Sequence, residues 1–130
     1  MRKVYPVLLS VRESGKYGVK APDVPGCVTS GRTIEEAFDN IRDALCGCLC
    51  ALEDVGEPLP EASSPADVAD AQATVLLVDV DLLEYRKRTD TRAVRKNVSM
   101  PAWMSYMADE RGVNCSQVLQ DALRKELQLV

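Results

Sequence analysis

Thr33-Ile34-Glu35-Glu36-Ala37-Phe38-Asp39-Asn40-Ile41-Arg42-Asp43-Ala44-Leu45-Cys46-Gly47-Cys48-Leu49-Cys50-Ala51-Leu52 decides how this chain folds. Ile34, Ala37, Phe38, Ile41, Ala44, Leu45, Leu49 and Leu52 recur every three or four residues, the spacing of one apolar helix stripe. Thr33 and Glu36 form a capping box, a hydroxyl and a carboxylate placed to take free amides at a helix start. Gly56 is a stop signal, and Pro58 and Pro60 lie just beyond it. One such helix has a single apolar stripe, so other segments must supply the surface it covers.

The flanking sequence reads as a sheet. Residues 3–11, Lys-Val-Tyr-Pro-Val-Leu-Leu-Ser-Val, are β-rich and mostly apolar. Pro6 points to an edge position or a strand start. Ser14-Gly15-Lys16 marks a turn, and Tyr17 to Ala21 alternate as a second strand, so residues 3–21 form a hairpin. Pro22 to Cys27 is loop chemistry, and Val28-Thr29-Ser30 is a short third strand. Residues 57–72, rich in Glu, Pro, Ala, Ser and Asp, read as a loop. Ala73 to Asp81 is the last strand, Leu82 to Tyr85 follow, and Arg86 to Arg92 form a charged link.

The remainder reads as strand, helix, helix. Val94 to Met100 is extended, and Pro101 suits a first helical turn. Met104, Met107 and Ala108 are its apolar positions, and Gly112 ends it. Asn114 caps a helix over 115–128, with Val118, Leu119, Ala122, Leu123 and Leu127 on one face. The expected fold class is α+β, with domains at 1–85 and 94–130 and a linker at 86–93.

The 130 residues are 46% hydrophobic and 28% charged, ordinary globular values. No apolar run reaches the ~18 residues of a membrane span. Met1-Arg2-Lys3-Val4-Tyr5-Pro6 is not a signal peptide, so a cytoplasmic location is expected. Histidine is absent, which removes Ser-His and Cys-His nucleophile pairs and the commonest metal ligand. The five cysteines are an odd count without a secretory segment, so reduced thiols are expected. Cys46 and Cys50 share a helix face and Cys48 points elsewhere, which suits packing better than one metal. Glu36, Asp39 and Asp43 share a helix face, and Asp79 and Asp81 share a strand face. Neither set brings carboxylates together from separate elements, as a metal nuclease needs. No catalytic residue, metal or cofactor is expected.

Charge is uneven. Residues 1–85 carry seven Lys and Arg against fifteen Asp and Glu, a net of −8, and residues 86–130 carry nine against five, a net of +4. An acidic body with a basic end suggests a polyanion partner at that end. Along the 94–100 strand, Arg95, Asn97 and Ser99 share one face, and all three can hydrogen-bond base edges. Val98 and Met100 take the other face. A lone strand is unstable, and 37 residues are too few for a core of their own. Two copies pairing their strands solve both problems and make a ribbon that fits the major groove. Val98, Met100, Val118, Leu119, Ala122 and Leu123 would then form the dimer core. The helix start at Asn114, Cys115 and Ser116 would offer amides to a phosphate.

Arg95-Lys96-Asn97-Val98-Ser99-Met100-Pro101 and Gly112-Val113-Asn114-Cys115-Ser116-Gln117-Val118-Leu119 resemble ribbon-helix-helix DNA-binding proteins. The resemblance implies base reading by Arg95, Asn97 and Ser99. Two departures stand out: Lys96 takes an inward position that is usually apolar there, and the Pro101–Gly112 interval is about one turn short. Asp23-Val24-Pro25-Gly26-Cys27-Val28-Thr29-Ser30-Gly31-Arg32-Thr33-Ile34-Glu35-Glu36-Ala37, with Gly56-Glu57-Pro58-Leu59-Pro60, is similar to HicB antitoxins. That likeness implies a partial RNase H-like sheet without required catalysis. It also implies a small basic RNase toxin, HicA, as partner, and operator DNA bound by a homo-oligomer. Pairing through the N-terminal sheet as well would give tetramers. Two rival readings are a stand-alone transcription regulator with a ligand-sensing N-terminal domain, and a nuclease using the acidic residues.

Overall fold

The computed structural model describes residues 2–129; Met1 and Val130, the outer ends of the two expected domains, lie outside the described residues. The chain divides into two units between Arg92 and Ala93. The first holds β1 (Arg2–Val11), β2 (Tyr17–Lys20), β3 (Val28–Gly31), α1 (Ile34–Asp54), β4 (Thr74–Asp81) and α2 (Leu82–Thr89). The second holds α3 (Ala102–Glu110) and α4 (Cys115–Glu126).

The sheet order is β3-β2-β1-β4, with every neighbouring pair antiparallel. Tyr5, Val7 and Leu9 of β1 share one face by the two-residue period of a strand. They pack in one cluster with Val19 of β2, Val78 and Val80 of β4, and Ala37, Ile41, Leu45 and Leu49 of α1. Burying each large side chain contributes about 1.5–3 kcal/mol, which is why the helix stripe and strand alternation dominate this half.

Local chemistry fixes the helix ends. Thr33 Oγ1 accepts from the Glu36 amide at 3.1 Å, the hydroxyl half of the capping box. At the other end Gly56 takes φ +77. Its amide donates to Glu53 and the Glu57 amide to Leu52, closing the last turn. Gly31 has a steric role: a Cβ there would lie 2.4 Å from the Ala37 nitrogen, so β3 meets the first turn of α1 only without a side chain.

The direction of β4 explains the long loop. α1 returns the chain to the end of the sheet where β1 starts, and Tyr5 Oη donates to the Pro60 carbonyl there at 2.7 Å. β4, however, begins with Thr74 opposite Leu9, at the far end. Residues 55–73 make that journey, tied down where the Ser63 amide and hydroxyl donate to Asp23.

Pro6 sits inside β1, which is an interior strand. Pairing with β2 begins only at Leu8, whereas pairing with β4 runs from Arg2 to Leu9. At Pro6 the strand has one neighbour, so the edge chemistry of proline is met locally. α1 also reaches both outer strands. Asn40 Nδ2 donates to the Ser30 carbonyl of β3 at 2.8 Å. Arg42 Nε donates to the Asp79 carbonyl of β4 at 3.2 Å, and its Nη2 to the Asp79 carboxylate at 2.7 Å. One carbonyl of each outer strand is thereby occupied by a side chain of α1.

The charged stretch after Tyr85 is not a link at its start: Arg86 to Thr89 complete α2. Asp81 caps this helix through the Glu84 amide, Leu82 is buried and Tyr85 packs on the core. Arg86 bridges Glu53 and Asp54 of α1 at 3.1 and 3.0 Å. Tertiary pairing and a cap make a helix from residues with a weak periodic signal.

Candidate functional site

In the second unit, α3 and α4 contain no buried residue. Val98, Met100, Met104, Val118 and Leu123 are all large, apolar and exposed. Val94 to Met100 has no strand assignment. A strand exists by pairing, and a single copy of the chain offers this segment no partner.

The exposed side chains converge. Lys96, Val98, Met100, Val118, Leu119 and Ala122 line one concavity of about 430 Å³. Leu123 lines an adjoining one with Val94, Arg95, Lys96 and Leu119. Asn97 and Ser99 line neither concavity, whereas Arg95, which strand parity groups with them, lines the second beside Lys96. Cys115 and Ser116 reach the first concavity from the start of α4.

The start of α4 matches its sequence signal. Asn114 Oδ1 accepts from the Gln117 amide at 3.1 Å, so one free amide is already taken by the cap. Met104, Ala108 and Val113 line the concavity too. The first two follow from helix spacing. Val113 had a signal that the spacing does not carry. It follows Gly112 in a helix-ending motif, its amide donating to the Ala108 carbonyl at 2.9 Å, and the residue after such a glycine often packs back on the helix.

The observed boundary also moves charge. Arg86, Lys87, Arg88 and Arg92 lie in the first unit. Residues 93–130 carry five Lys and Arg against four Asp and Glu, a net of +1, and residues 1–92 a net of −5. The five cations of the second unit are Arg95, Lys96, Arg111, Arg124 and Lys125, of which Arg95 and Lys96 lie beside the apolar face.

The first unit has a concavity of about 430 Å³ of its own, lined among others by Ser10, Arg12, Lys20, Asp70 and Gln72. No group of three or more metal-ligating Cys, Asp, Glu or His side chains comes together among the described residues. Cys27, Cys46 and Cys50 are buried. Burial pushes the Cys27 thiol up to about 12, with Cys48 beside it adding to the shift. Burial also raises Cys46 and Cys50. Thiols held in the protonated form are inert packing groups. Asp79 is held below the usual carboxylate range by the hydrogen bond and charge of Arg42. Arg88 lies 3.8 Å from Asp43, so part of the acidic surface is answered within the unit.

A family described as HicB-like antitoxin of bacterial toxin-antitoxin system matches residues 5–121. The chain belongs to this HicB-like antitoxin family. A 14.9 kDa protein of Haemophilus phage HP1, uncharacterised, is 30% identical over 112 residues, covering 82% of this chain and 80% of the phage protein. The crystal structure of the Burkholderia pseudomallei antitoxin HicB is 29% identical, with a TM-score of 0.57 over 95% of this chain and 98% of that one. A chain of the toxin–antitoxin complex from Streptococcus pneumoniae gives a TM-score of 0.62 over 97% and 99%; at 24% identity that likeness is one of fold. The α+β architecture is similar to that of the Burkholderia pseudomallei antitoxin HicB. Among the described residues no helix is long and apolar enough to cross a membrane.

Proposed function

We propose that this antitoxin neutralises a HicA-type RNase toxin through residues 1–92 and represses its own operon by binding operator DNA through a dimer of residues 93–130. The observation that carries the DNA half is the uncovered apolar face of Val98, Met100, Met104, Val118 and Leu119, flanked by the cations Arg95 and Lys96. A second copy covers that face if the two 94–100 segments pair as a ribbon and Val98, Met100, Val118, Leu119, Ala122 and Leu123 close the core. Arg95, Asn97 and Ser99 then lie together on the groove side, and the free amides of Cys115 and Ser116, beside Asn114, meet phosphates. This is the ribbon-helix-helix arrangement.

The first unit has its own core and a net charge of −5, which suits a basic RNA-binding partner, because opposite charge speeds and orients encounter. Its strand order, with the helix between β3 and β4, supports a partial RNase H-like reading. The role is non-enzymatic and cytoplasmic, and needs no cofactor. The test separates the units. A fragment of residues 1–92, shown to be folded by circular dichroism, is mixed with the small basic protein encoded by the neighbouring gene. Retained toxin binding with lost operator binding supports the division of labour. A folded fragment that leaves the toxin free and active contradicts it.

A further inference from the structure

Lys96 is the residue that the dimer reading leaves unexplained, and the inference rests on that reading. It shares strand parity with Val98 and Met100, and its side chain lines the same concavity as Val98, Met104 and Val118. It also lines the adjoining concavity with Arg95 and Leu123. No acidic side chain lines either one. The acids of this unit are Asp109, Glu110, Asp121 and Glu126. Asp121 already holds Arg124 at 3.1 Å and Gln117 at 3.0 Å. Among the described residues no ion pair joins Arg95 or Lys96 to a carboxylate.

An ammonium covered by a second copy without a counter-ion is strongly disfavoured. Lysine escapes by laying its stem along the apolar surface and carrying its charged head to the rim. At this rim the next charge is Arg95, also cationic. Pairing two copies gathers two Arg95 and two Lys96 on one ribbon, and like charges on adjacent strands weaken the pairing. The counter-ion must come from outside the unit. The geometry points to Lys96 as a backbone-phosphate contact whose uncompensated charge keeps the dimer weak until a nucleic acid neutralises it. Dimer formation and polyanion binding are then thermodynamically linked: each strengthens the other by the same factor.

The experiment uses the full chain with Lys96→Met and Lys96→Arg, in a salt series, with and without a short random-sequence DNA duplex. Sedimentation gives the dimer constant, and fluorescence anisotropy gives the duplex affinity. Without duplex at low salt, Lys96→Met dimerises about tenfold more tightly than the wild type, a gap that closes as salt screens the charges. Duplex tightens the wild-type and Lys96→Arg dimers more than the Lys96→Met dimer. The slope of log affinity against log salt falls in magnitude by about 1.8 in Lys96→Met, for two lost contacts of about 0.9 each. Equal dimer constants and equal slopes for wild type and Lys96→Met overturn the inference. A weaker Lys96→Met dimer also overturns it, because a carboxylate of the second copy is then the counter-ion. A wild type that stays monomeric at every salt concentration, with and without duplex, overturns the dimer reading beneath it.

Discussion

Residues 2–92 and 93–129 meet the same physical demand in opposite ways. The first unit covers its helix stripe with its own sheet, and Ile41, Leu45, Leu49, Val7 and Val78 are fully buried. The second has amphipathic helices of comparable chemistry, yet neither contains a buried residue. The first unit buries its apolar stripe within one chain; on the proposed reading the second gains its stability by mass action with another copy.

Two substitutions break that contrast in opposite directions. Val98→Asp puts a carboxylate in place of an apolar side chain in the face proposed to be covered by a second copy, where its desolvation is costly even beside Lys96. It is expected to abolish dimerisation and the helicity of residues 93–130 while the first unit melts as before; circular dichroism with sedimentation reads both. Leu45→Ala should leave the dimer intact and destabilise the first unit by about 2–5 kcal/mol, a loss independent of protein concentration in denaturant titrations. A concentration-dependent Leu45→Ala defect would erase the distinction between the units.

Arg95→Ala sharpens the functional side of the comparison. The Arg95 fork matches the acceptors of guanine, so its loss should cost about 1–3 kcal/mol per base contact in a gel-shift titration at one salt concentration. Toxin binding by the first unit should be unchanged. Equal affinity of wild type and variant for operator and scrambled DNA, with the dimer intact, would remove the 94–100 segment as the reading element.

The smallest effect belongs to the buried thiols. The folded Cys27 thiol is raised from an ordinary 9.0 to about 12. A raised folded value means stability that is fully present below the ordinary thiol range and lost as pH climbs through the folded value. Melting of the first unit should therefore fall between pH 9.0 and about 12, and less steeply in Cys27→Ala. Parallel slopes for the two proteins would show that this thiol is not protected by burial.

What the sequence disclosed follows the same division. α1 was legible because its stripe, its Thr33 cap and its Gly56 stop all agree. The hairpin and the short β3 were legible from turn residues and alternation. α2 was not, because Leu82 and Tyr85 are its main apolar anchors and its last turn is held by ion pairs across to Asp43, Glu53 and Asp54. Strand parity and helix spacing group Val98, Met100, Val118, Leu119, Ala122 and Leu123 as one proposed dimer core; the first five line one concavity and Leu123 lines an adjoining one. Charge was the weakest guide: the apparent basic end owes most of its excess to Arg86, Lys87, Arg88 and Arg92, which lie in the acidic unit.

The most direct measurement is sedimentation of the full chain across a concentration series, combined with amide exchange over residues 93–129. If the second unit is completed by another copy, the mass rises from 14.3 kDa to at least twice that value, and the amides of α3 and α4 gain protection over the same concentration range. A chain that remains at the monomer mass throughout, with α3 and α4 already protected, would mean that this unit is stable alone and that its apolar face has no second copy to meet.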